Sequence, residues 1–181
     1  MNALARQPRR ALFNYTANRP CRLIQPEGKP YLERYWLGEK FGRFWYLHRF
    51  LRNDAERHLH DHPWDTAHSL VLTGRYTEER GVHFIPRPNA TVRATFLHGE
   101  RRVRWFNTLH RSARNIDLHR ITSIQPETWT LFFHGPWEHP WGFYEGAQYQ
   151  QYKDVPYGPE EYAWWHDAPL GRDIGREPFN V

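Results

Sequence analysis

Short apolar and aromatic runs recur along this chain, most of them too brief for helices. Residues 31–37 read as an edge strand ended by Gly38, and 44–51 as a strong aromatic strand. Residues 52–56 form a turn. Further strands are expected at 66–73, ended by Gly74, then at 75–78, 82–85, 91–97, 101–106, 116–122, 128–134, 141–144 and 148–153. Turn signals stand between several of them: Pro86-Arg87-Pro88-Asn89, His98-Gly99-Glu100, Gln125-Pro126-Glu127 and Glu145-Gly146. Many short strands at regular spacing predict an all-β sandwich or barrel. Pro8, Pro20, Pro26 and Pro30 argue against long elements at the start, so 1–30 is expected to be an irregular arm. The one helix signal lies in the tail. Gly158-Pro159-Glu160-Glu161 puts Pro and acid at a first turn, before Tyr162, Trp164 and Trp165. These aromatics are expected to dock on the domain. The chain thus divides into an arm (1–30), a β domain (31–153) and an aromatic tail (154–181).

Composition narrows the function. A chain of 181 residues suits one domain with a real core. An aromatic content of 17%, with nine Trp, favours a β-rich, pocketed fold. No run of apolar residues is long enough for a membrane-spanning helix. The Arg-bearing start has no apolar stretch of the secretory kind and no Ser, so neither secretion nor organelle targeting is expected. Cys21 is the one cysteine, which excludes an intrachain disulfide and a Cys-based zinc site and fits the cytoplasm. The net charge of +5 is spread along the chain, with concentrations at Arg6–Arg10 and Arg101–Arg104. No long basic stripe suggests nucleic acid, and an acidic small substrate fits the charge equally well. No G-x-S-x-G, Cys–His nucleophile signal or phosphate-cradling Gly loop is present.

The most informative run is Arg57-His58-Leu59-His60-Asp61-His62-Pro63-Trp64. Residues two apart on a strand share a face, so two or three imidazoles enter one space. Neutral imidazoles gain little from each other unless a cation joins them, so His60 and His62 are candidate ligands for a divalent metal. The alternative is a set of structural histidines bonded to carbonyls.

The stretch from His60 to Gly74 resembles the first motif of the cupin superfamily, and His60–Asp65 with Trp141-Gly142-Phe143 resembles small phage- and bacteria-associated cupins. The resemblance covers roughly residues 44 to 152. It implies an all-β, double-stranded β-helix (jelly-roll) barrel. The motif's Glu falls on Ala67, so the frame matches and the carboxylate is missing. The second motif's His best matches His119, without the usual Pro and Gly before it. The implied metal set is therefore His60, His62 and His119, with His58 (by parity) or His68 (by proximity) as a possible fourth ligand. An H-x-D oxygenase triad does not fit, and Asp61 is expected to face solvent on the other side of the strand. A three-His site suits Fe(II), which is favoured here, or Mn, Ni, Cu or Zn.

Tyr46 and His48 share parity and are expected to face inward. Arg102 and Arg104 are candidates to clamp a substrate anion, against the plainer reading of a solvent-facing strand side. His134, Glu138 and His139 are further candidates for proton transfer, against the plainer reading of exposed loop residues. The expected activity is a mononuclear metalloenzyme, an Fe(II)-type dioxygenase acting on a small polar or acidic molecule. The alternatives are a metal-dependent sugar or sugar-acid isomerase or lyase, and a non-enzymatic binding module. A homodimer is also an open expectation.

Overall fold

Alternation of inward and outward side chains sorts the strands into two sheets. The computed structural model describes residues 3–25, 28–53, 58–85, 96–145, 148–152 and 163–179. Its elements are helix α1 (Ala3–Thr16), then strands β1 (Cys21–Ile24), β2 (Leu32–Lys40), β3 (Arg43–Phe50), β4 (Leu59–His60), β5 (Thr66–Thr73) and β6 (Tyr76–Phe84). There follow β7 (Phe96–Val103), β8 (Phe106–His110), β9 (Asn115–Ile124), β10 (Thr128–His134), β11 (Gly142–Glu145) and β12 (Gln148–Gln151). One sheet runs β1-β2-β3-β10-β5-β8 and the other β12-β11-β4-β9-β6-β7. Every strand pairing among the described residues is antiparallel. The chain is mostly β, as its pattern predicts.

The sheets meet through Leu32, Phe50 and Val71 of the first and Tyr76, Val103 and Ile121 of the second, all buried. Each such side chain contributes about 1.5–3 kcal/mol through the apolar area it removes from water. The first sheet is buried on its outer face as well. Cys21, Tyr35, Leu47 and Trp129 form a second cluster there, covered by Leu12 and Phe13 of α1 and by Ile174 of the tail.

The expectation of an irregular arm at 1–30 is therefore corrected: α1 and β1 occupy most of it. Pro8 lies inside α1. It removes one helical hydrogen bond, and docking of Leu12, Phe13 and buried Thr16 on the sheet outweighs that loss. β2 is not an edge strand, because β1 pairs along its outer side. It also runs through Gly38 to Lys40, absorbing the irregularity as a register shift between Trp36 and Gly38.

His98-Gly99-Glu100 is not a turn but the middle of β7, where Gly99 pairs with Arg80 of β6. The chain instead leaves the second sheet at Arg104-Trp105 and enters the first as β8. The separate strands expected at 75–78 and 82–85 are one, β6. The break expected at Gly74 is real. Its φ is +78°, and a Cβ there would lie 2.3 Å from Thr128 Oγ1, so only glycine fits.

The expected turns at 54–56 and 86–89, most of the strand at 91–97 and the helix signal at 158–162 lie outside the described residues. Trp164–His166 forms a short 3-10 helix. Its Trp165 stacks on Trp36 at 3.8 Å between ring centroids, so the tail aromatics do dock on the sheet. No helix among the described residues is long and apolar enough to cross a membrane.

Candidate metal centre

Three elements bring the histidines together. His60 ends the short β4 and stands directly across from His119 of β9. His62 lies two residues on, and its ring stacks on Trp64 at 4.8 Å. Ring centroids are 5.2 Å apart for His60–His62, 4.8 Å for His60–His119 and 5.0 Å for His62–His119. The planes cross at 56° to 84° rather than stacking. One donor atom from each ring lies within 4.8 Å of the others, so the three could hold a metal ion.

The nitrogen inventory suits that use. Nε2 of His62 and Nε2 of His119 are 2.8 Å apart. His119 turns its other nitrogen, Nδ1, to Glu78 Oε2 at 3.1 Å. A carboxylate behind an imidazole fixes the tautomer and leaves Nε2 with a lone pair for a metal. His60 Nδ1 is buried without a hydrogen-bond partner among the described residues. Burial holds His60 and His62 well below the ordinary imidazole range, and the neighbouring imidazoles push the same way. Both are neutral at pH 7, the form that binds metal.

A carboxylate stands behind the cluster: Glu78, on the far nitrogen of His119. Ala67 points into the interior, where it packs with Trp64 and Leu109. Glu78 comes from β6, fully buried, and also accepts from Asn107 Nδ2 at 2.9 Å. Burial alone would raise its pKa. The hydrogen bond from His119, with Arg80 and Asn107, outweighs burial and holds it below the usual carboxylate range. Its spacing matches no motif, so the run of sequence does not announce it. Its one signal is strand parity with Tyr76, which faces the core.

Asp61 is corrected from solvent to the interior. It is fully buried, with Oδ1 accepting from the Gly142 amide at 2.7 Å and Oδ2 from Arg111 Nη1 at 2.5 Å. It does face away from the imidazoles, and it ties the His-x-His run to β11. Gly142 is required there, since a Cβ would lie 2.2 Å from Gln150 O. The His60–Asp65 and Trp141–Phe143 segments are thus one unit in space.

The other candidates separate cleanly. A cavity of about 500 Å³ takes in the three histidines together with Tyr46, His48 and His134. His134 is not a loop residue: it ends β10, buried and stacked on Trp64 at 4.0 Å. Burial lowers its pKa to about 3. His139 is instead half exposed, bonded to Asp65 at 2.8 Å. His68 packs tilted against Phe133 at 4.8 Å and its Nδ1 meets Thr108 Oγ1, outside the cluster. His58 is not among the converging donors either. Arg102 and Arg104 are exposed and line no part of the cavity, because the inward residue of that strand is Val103.

No known protein-family model matches the chain, and no curated protein matches it either.

Proposed function

We propose that this protein is a cupin-type jelly roll and a mononuclear metalloenzyme, most plainly an Fe(II)-dependent dioxygenase acting on a small acidic molecule. The observation that carries this reading is the convergence of His60, His62 and His119 on one cavity, with Glu78 behind His119. Three protein ligands leave open positions, whereas a closed structural site would hold a fourth. An iron ion held there would supply the open coordination on which an organic substrate and O₂ can meet.

The chain's own contribution is to hold and exclude. Glu78 keeps the proton on Nδ1 of His119 and so orients the ring. Asp61 and Gly142 lock the His-x-His run in place. Trp64, Phe132 and Trp141 keep the cavity apolar, which strengthens every polar contact made inside it. Tyr46 and His48 stand on the cavity wall, where they can donate to or accept from a bound molecule.

Elemental analysis of anaerobically purified protein tests the proposal. About one equivalent of iron per chain, with O₂ uptake on substrate screening, supports it. One equivalent of manganese, nickel or zinc without oxygen dependence would favour isomerase or lyase chemistry. Negligible metal after reconstitution with all four ions would leave a binding module. His60→Ala and His62→Ala should each abolish stoichiometric metal while the domain stays folded; metal retained in both variants overturns the site.

A further inference from the structure

We propose that the cavity takes a carboxylate attached to a flat, apolar body, and that Arg34 is the residue that grips the carboxylate. This names a substrate class for the site described above and rests on that reading for its chemical meaning.

Arg34 projects from β2 into the cavity, while its neighbours Glu33 and Tyr35 are buried on the other face. Its Nε donates to Nε2 of His48 at 3.2 Å, and its guanidinium lies 5.6 Å from the centroid of the Tyr46 ring. Among the described residues it has no carboxylate partner. Arg49, Arg80, Arg111 and Arg120 each have one. The terminal fork, Nη1 with Nη2, is the edge that takes a carboxylate through two parallel hydrogen bonds.

A second observation points to the same ligand. Arg22 of β1 stands directly across from Arg34, and both line the cavity. Like charges directly opposite on paired strands are destabilising. Burial weakens the hold of Arg34 on its proton, Tyr46 partly offsets this, and the charge of Arg22 adds a smaller push the same way as burial. The charge of an anion bound at the fork would offset both effects at Arg34.

The remaining wall selects the body of the ligand. Phe50, Phe132, Trp137, Trp141, Phe143 and Trp164 all face the cavity. At about 500 Å³ it lies in the range of sites for small organic molecules. A small, wholly polar anion would gain nothing from the ring surface that faces the cavity, whereas an aromatic acid would pack on it. With its carboxylate on Arg34, such a molecule presents its other end within the space that holds the three histidines.

The test is calorimetric titration of the full chain with benzoate and with benzamide, its neutral isostere, alongside elemental analysis of each preparation. Benzoate is expected to bind about tenfold more tightly than benzamide, as suits a bidentate charged contact. Arg34→Met should erase that preference and leave benzamide affinity unchanged. Arg34→Lys keeps the charge but loses the fork, and should retain only about a third of the preference. Equal affinity for the two probes, no binding of benzoate, or a preference intact in both variants overturns the assignment. Metal content separates the two proposals. A preference that survives both variants in metal-replete protein overturns the role of Arg34 alone. An Arg34-dependent preference in protein that takes up no metal upholds Arg34 and overturns the metalloenzyme.

Discussion

Two buried polar clusters flank the first sheet, one on its outer face and one in the space between the two sheets, and they are completed to different degrees. On the outer face, Arg49 is buried with Glu33 and Glu127. Its Nε donates to Glu127 Oε2 at 3.0 Å and its Nη1 to Glu33 Oε1 at 3.0 Å. The carbonyls of Glu177 and Pro178 take the remaining N–H groups, and Nη2 also meets Glu127. Between the sheets, His60 Nδ1 has no partner, two imidazole Nε2 atoms face each other, and the Arg34 fork is unmatched by any carboxylate among the described residues. A saturated network of this kind welds α1, sheet and tail together. An unsaturated one, lining a cavity, is built for something that arrives later. Burial and charge alone do not distinguish these two clusters; how fully their ionisable groups are hydrogen-bonded does.

The largest effect expected of a single substitution breaks the saturated side. Arg49→Met leaves two buried carboxylates uncompensated and should cost about 3–5 kcal/mol. That is a large part of the roughly 5–15 kcal/mol available to a domain. Urea denaturation measures it, and a loss under about 1 kcal/mol would show that the cluster does not hold the layers together.

Acid should act on the inner side. Burial keeps His48 well below the ordinary imidazole range and His134 at about 3, whereas both take up protons near pH 6.5 when unfolded. The unfolded state binds more protons across that window, so stability falls as the pH drops from about 6.5 towards 3. Each such residue contributes a slope of about 1.4 kcal/mol per pH unit there. Denaturation midpoints followed from pH 7 to 4 would read the slope, and a flat profile would contradict the neutral, buried state of these rings.

Glu78→Gln should weaken metal binding about 10- to 100-fold, because the amide cannot hold the proton of His119 as a carboxylate does. Competition with a chromophoric chelator measures it, and unchanged affinity would place Glu78 in the fold rather than behind the metal. The smallest effect is expected at Arg102→Gln and Arg104→Gln. Both side chains are exposed, so stability should stay within about 0.5 kcal/mol and metal content should not change.

How far the site could be read in advance depended on whether one strand carried the signal. His60 and His62 were legible because a two-residue period puts them on one face. Tyr46 and His48 followed from the same parity and do line the cavity. Glu78 was hidden, since its meaning lies in its distance to a residue of another strand. Arg34 was hidden for the same reason, with its cross-strand partner Arg22 on a segment that prolines made look irregular. Asp61 was misjudged because an acid beside histidines has no visible partner until Gly142 and Arg111 are brought to it.

The sequence by itself determined the β character of the chain, the strands that run through 44–51, 66–73 and 128–134, and the pair of imidazoles on one face. These are local properties, written in side-chain period, Gly placement and burial preference. Only the tertiary structure decided that α1 would form despite Pro8, and that Glu78 would stand behind His119. It also decided which arginine would face the cavity. Each of those outcomes turns on groups far apart in sequence meeting in a dry interior, where one satisfied or unsatisfied hydrogen bond outweighs any local preference.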